Sequence, residues 1–225
     1  MQKAADLGFH EIRFAVPLLA FSLEALVGKR FRPALVWALP LLLVKEDLGV
    51  TVTAIGFLVL LAARHTQPRL APWAAVVMAA GTLGAIVIVT LVIPAFNATG
   101  HYDYTSKIET GATIPAATAV HTLLWILLPT TGLLALRSPI LLAALPTTAW
   151  RFLSGDDHYW GTDWHYSAIL MPIVFTALTD SLTTARRSPR AWLSSYARHL
   201  PAAAAAAALA LSIGLPVARL TQTAT

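Results

Sequence analysis

Cysteine is absent from the 225 residues, and only 12% of them are charged. The first absence excludes a disulfide framework, thiolate catalysis and thiolate metal sites. The second removes the charged surface of an ordinary soluble domain, in a chain that is 57% hydrophobic. The segment MQKAADLGFHEIRF lacks the layout of a cleavable leader, because acidic and polar residues interrupt it before any apolar core can form. That segment reads as a loop entering a helix. The expectation is a single integral membrane domain over residues 1–225, without a soluble domain in that span. The net charge of +5 sits in short loops between apolar runs, which is the signature of membrane topology and not of nucleic-acid binding.

A helix crossing a hydrocarbon core of about 30 Å needs roughly 20 apolar residues. Eight segments approach that length, at about 11–28, 32–45, 47–63, 72–95, 116–136, 138–153, 165–183 and 200–218. The expectation is an all-α, polytopic transmembrane helical bundle, with the second and sixth segments short, tilted or broken. Proline stands in or beside nearly every segment, at Pro17, Pro40, Pro94, Pro115, Pro129, Pro146, Pro172 and Pro216, so kinks are expected.

Alternating the loops between two sides separates the charges. One set carries Lys29, Arg30, Arg32, Arg64, Arg69, Arg137, Arg186, Arg187, Arg190 and Arg198, with Asp180 at a helix end as its one acid. By the positive-inside rule this set is cytoplasmic. The other set holds Asp6, Glu11, Glu46, Asp47, Asp103, Glu109, Asp156, Asp157 and Asp163, together with His10, His101, His158 and His165. Any chemistry is therefore expected at the extracytoplasmic face of a multi-pass cell-membrane protein. Glu24 is the exception, a carboxylate inside the first helix that snorkels or pairs locally with Lys29 or Arg30.

Several outward groups carry candidate chemistry. Lys45, Glu46 and Asp47 form a tight charged turn, read either as a solvated turn with Asp47 capping the next helix or as a cavity wall with Lys45 on a phosphate. His10 and Glu11 open the first helix, but neighbours on a helix diverge by roughly 100° and cannot share one small ligand. The loop NATGHYDYTSKIETG at 97–111 supplies polar groups and interfacial tyrosines, and His121 is expected to face the bundle interior or a watery cavity. Arg151 precedes SGDDHYWGTDWHYS at 154–167, whose Asp156, Asp157, His158, Asp163 and His165 are of the types that hold a divalent cation, in a spacing that matches no strict metal motif. Tyr159, Trp160, Trp164 and Tyr166 suit an interfacial belt or a stacking floor for a sugar.

The stretches FHEIRFAVPLLAF (9–21), WALPLLLVKEDLGVTVTAIGF (37–57), LVIPAFN (91–97) and WHYSAILMPIVF (164–175) together resemble the bacterial membrane protein family known as "domain of unknown function 2079". That family is similar to the C-type glycosyltransferase fold, whose members take sugars from polyprenyl-phosphate donors outside the cytoplasm. The resemblance implies a transferase of that kind, with the chain as its carboxy-terminal portion, since it starts at a point resembling the middle of the family pattern. On chemistry and sidedness, Glu11 and Asp47 are the candidate catalytic bases. His10, Lys45, Glu46, Arg151, Asp163, Trp164, His165 and Tyr166 are the candidate substrate contacts, with Lys45 and Arg151 on phosphate. The alternative is a non-catalytic membrane component or a transporter-like protein, although the apolar midplane counts against transport.

Overall fold

The computed structural model describes residues 11–97, 114–154, 159–162 and 167–214, and every regular element among them is helical. Helix α1 (Ile12–Val27) places Ile12, Ala15, Leu19, Leu23 and Leu26 on one buried stripe at helical spacing. A tight turn, with Lys29 at φ 56°, reverses the chain into α2 (Phe31–Ala38). The Ser22 hydroxyl donates to the Ala34 carbonyl at 2.8 Å inside the seam between them. Left unmade, that bond would cost about 1–3 kcal/mol. Glu24 pairs with Arg30 across the same turn, as local pairing required. Pro40 cannot donate to a helical carbonyl, and the run finishes as 3-10 turns over Leu39–Leu43.

Helix α3 (Leu48–Ala63) is apolar on all sides and occupies the centre, with Val52, Ile55 and Val59 fully buried. After a 3-10 turn at Pro68–Leu70, helix α4 (Ala71–Val87) returns antiparallel to it. The two backbones come close because glycines line the seam. A Cβ on Gly81 would lie 2.6 Å from the Gly49 carbonyl oxygen and 2.5 Å from the Thr53 hydroxyl. Thr53 Oγ1 lies 3.1 Å from the Gly49 carbonyl, 3.2 Å from the Met78 carbonyl and 3.0 Å from the Thr82 hydroxyl, so it bonds within its own helix and across the seam. Small residues that admit close backbone approach are how helices associate where lipid removes the hydrophobic drive.

Helix α4 continues through a π turn at Ile88–Val92 into the short α5 (Ile93–Phe96). Pro94 explains the widening: its ring excludes the carbonyl four residues back, and Thr90 turns its hydroxyl onto the Ile86 carbonyl at 2.7 Å. The continuous run Pro68–Phe96 has 29 residues, about 40 Å at helical rise, and only 11% of its apolar window is buried. Among the described residues it alone is long and apolar enough to cross a membrane unaided.

Helix α6 (Ala116–Thr131) ends at Gly132, whose left-handed φ of 52° lets its N–H reach the Leu128 carbonyl at 2.9 Å. The expected continuation to residue 136 is replaced by 3-10 turns at Leu134–Arg137 and Pro139–Ala144, which lead into α7 (Leu145–Leu153). Helix α8 (Leu170–Arg186) packs on α1 and on both 3-10 segments, and α9 (Ala191–Gly214) begins nine residues before the apolar run read from the sequence. The Tyr196 hydroxyl donates to the Gly132 carbonyl at 2.6 Å and fixes α9 to the end of α6.

The α3–α4 seam yields a test. Gly81→Ala is expected to cost about 1–3 kcal/mol through overpacking. In Gly84→Ala the new methyl meets only the Leu42 side chain, at 3.3 Å, and stability should stay within about 0.5 kcal/mol. Thermal unfolding of both variants in the same detergent checks the contrast, and equal midpoints would refute it.

Candidate functional site at the Lys45–Asp47 turn

Four residues, Val44 to Asp47, connect the 3-10 end of the α2 arm to α3, held by Val44 N–H on the Leu41 carbonyl and Leu48 N–H on the Lys45 carbonyl, each at 3.1 Å. The turn is so short that Lys45, Glu46 and Asp47 are all half-buried against their own helices. Lys45 Nζ lies 3.7 Å from Asp47 Oδ1, a pair in contact but beyond hydrogen-bonding distance. Asp47 occupies the N-cap position of α3, yet it caps nothing. A capping side chain needs an extended backbone at that residue, and here φ −78° and ψ −17° are helical. Oδ1 is consequently buried without a hydrogen-bond partner among the described residues. Burial pushes the Asp47 carboxyl above the usual aspartate range and the Glu46 charge adds to the rise, while Lys45 pulls the other way.

Arg151 of α7 is the largest fully buried side chain, 1% exposed. Nε donates to the Tyr159 carbonyl at 2.9 Å and Nη2 to the Gly161 carbonyl at 2.5 Å. Around it, Trp160 Nε1 donates to the Ser154 carbonyl at 2.8 Å, and the Thr122 hydroxyl on α6 donates to the Trp160 carbonyl at 2.7 Å. The guanidinium therefore fastens residues 159–162 onto α7, and oriented carbonyl dipoles compensate part of its desolvation. Backbone carbonyls leave no sequence signature, so the sequence alone could not reveal this role.

The remaining candidates divide plainly. Glu11 is exposed at the start of α1, and no ion pair among the described residues joins it to the Lys45–Asp47 turn. His10, Asp163, Trp164, His165 and Tyr166 lie outside the described residues, as do Asp156, Asp157, His158 and the 98–111 loop. The convergence of Asp163 and His165 with the turn falls there too. His121 differs from expectation: it is exposed on α6 and stacks on Trp125, with centroids 6.2 Å apart and planes 9° from parallel. One helical turn separates the two residues, which places both rings on one face. Among the described residues no three His, Asp or Glu side chains gather as a metal site.

The longest helical run turns Leu83, Ile86, Leu91 and Phe96 outward, as a helix facing lipid does. The chain belongs to the family described as Predicted membrane protein (DUF2079), whose model matches residues 4–224. No curated protein and no solved structure matches it.

The state of Asp47 fixes a pH dependence. A carboxyl raised in the folded protein holds its proton longer there than in the unfolded chain, so stability falls as pH rises from the ordinary aspartate range through the raised value. Asp47→Asn should therefore unfold at a higher temperature than the parent at pH 7, with the gain vanishing toward pH 4. Parallel unfolding curves at both pH values, or a loss at pH 7, would overturn this assignment.

Proposed function

We propose that the chain is a multi-pass membrane protein acting at its acidic, extracytoplasmic end on a lipid-linked substrate, by sugar transfer from a polyprenyl-phosphate donor. The observation that carries the reading is Asp47, a half-buried carboxylate with an unsatisfied oxygen, a raised pKa and an ammonium 3.7 Å away. A raised pKa makes a carboxylate a better general base toward an acceptor hydroxyl, and Lys45 offers positive charge to the departing phosphate. Glu11 is the alternative base, and Glu46, His10, Asp163, Trp164, His165 and Tyr166 complete the proposed cavity. Arg151 serves this reading by positioning, because it anchors the residues that immediately precede Asp163.

The reading of sidedness is supported by where the elements end: Lys29 and Lys45 flank the α2 arm and Asp47 and Arg64 flank α3, so the acidic turn and the basic turns lie at opposite ends of the same two elements. Lys29 shares a cavity with Pro139, and Arg137 shares another with Arg187, which supports a single basic end. Helices of 16 residues reach about 24 Å, short of a full crossing, and their flanking turns supply the remainder. A specific observation favours the second reading, a non-catalytic membrane component: two of the Arg151 guanidinium nitrogens are held by the Tyr159 and Gly161 carbonyls.

With the full chain reconstituted, sugar transfer from a polyprenyl-phosphate donor should be measurable and should fall at least about 100-fold in Asp47→Asn. Unchanged turnover in the variant removes Asp47 as base, and a parent without turnover leaves the non-catalytic reading. Because native cysteine is absent, single cysteines report topology cleanly. Asp157→Cys should react with an impermeant thiol reagent on intact cells and Ser188→Cys should not; the reverse pattern would invert the sidedness.

A further inference from the structure

The tripeptide Arg-Ser-Pro occurs at Arg137–Pro139 and again at Arg187–Pro189. Each copy precedes a helical element, the 3-10 segment Pro139–Ala144 and helix α9. The serines act alike: Ser138 Oγ accepts from Ile140 N–H and Ser188 Oγ from Arg190 N–H, both at 3.2 Å. Folding then brings the two arginines to one open cavity of about 460 Å³, lined by Arg137, Thr183, Thr184, Arg187, Ser188 and Pro189. Among the described residues no carboxylate lines it. The nearby Asp180 accepts the Ser138 hydroxyl at 2.6 Å and opens on the adjacent cavity beside Lys29.

Two guanidiniums facing one cavity repel each other, and an anion between them replaces that repulsion with two attractions. The planar fork of arginine matches phosphate oxygens in pairs. The hydroxyls divide their work. Thr183 already donates to the Asp180 carbonyl at 2.7 Å, whereas Ser188 uses only a lone pair on Arg190 N–H and keeps its proton for a ligand. Thr184 adds a second hydroxyl donor on the same rim.

We propose that this cavity is a phosphate-binding site, with Arg137 and Arg187 as the charged ligands and Ser188 and Thr184 as hydroxyl donors. A phospholipid headgroup and a soluble phosphate present the same chemistry. The site lies at the end of the molecule opposite the Lys45–Asp47 turn and is independent of any transfer reaction there.

The test uses the full chain in a maltoside detergent, which carries no phosphate. Short-chain phosphatidylglycerol and inorganic phosphate are titrated separately at fixed ionic strength, and the unfolding temperature is followed. Either anion should raise it in saturable fashion, and Arg137→Gln with Arg187→Gln should weaken the apparent affinity by roughly tenfold per arginine. The corresponding double lysine variant should recover part of that loss, since charge is kept without the fork. A response to the lipid alone assigns a headgroup, and a response to phosphate alone assigns a soluble ligand. The proposal is overturned if neither anion shifts the parent more than chloride does, or if the double glutamine variant responds as the parent does.

Discussion

The close contact of α3 with α4 is the constraint on which the other packing rests. Helix α3 touches the α2 arm, α4, the Pro139–Ala144 segment and α7, so any change in its position is felt by most of the bundle. In lipid an apolar side chain gains little by leaving its surroundings for a protein interface, and association depends on close fit and polar bonds. Gly49, Gly56 and Gly81 permit the fit by having no Cβ where the facing backbone passes. Thr53 adds the polar bond, to a carbonyl of the opposite helix. Because the seam runs to the first turn of α3, it also sets where the Lys45–Asp47 turn must close.

Several polar groups within the bundle meet a related demand, that a buried donor find an acceptor made by the chain itself, although the Thr51, Ser167 and Ser181 hydroxyls are buried without one among the described residues. Ser22, Thr122 and Thr131 do so with single carbonyls. Arg151 does so on a larger scale, gathering the Tyr159 and Gly161 carbonyls. The same interaction serves both partners: irregular backbone at depth needs donors, and a buried guanidinium needs acceptors. Replacing either alone leaves the other unsatisfied.

Much of the helical layout was legible in the sequence, because apolar runs bounded by charges and glycine specify helices whatever solvent surrounds them. The starts near residues 12, 31, 48 and 116 follow from that pattern. The interruptions were less legible. Prolines at 40 and 94 signalled departures from regular helix, but whether the chain answers with 3-10 or π turns depends on which carbonyls the neighbours can satisfy. At the site, adjacency in sequence exposed the Lys45–Asp47 turn, while the failure of Asp47 to cap α3 depends on backbone angles that residue identity does not set. His121 was misread toward the interior because the face of a nearly uniform apolar helix cannot be assigned from periodicity.

Asp47 invites a structural explanation, and each one fails on geometry. As an N-cap it would stabilise α3 by about 1 kcal/mol, but its helical backbone angles turn the carboxylate away from the free N–H groups. As an ion pair with Lys45 it gains little at 3.7 Å, too long for a hydrogen bond to strengthen the attraction. Burial meanwhile raises its pKa, which is a net cost to the folded state whenever the group is ionised. A buried carboxylate with an unpartnered oxygen is what the proposed role of Asp47 as a base would use. Glu24 makes the contrast: it is exposed and paired with Arg30 across the turn, and local pairing accounts for it.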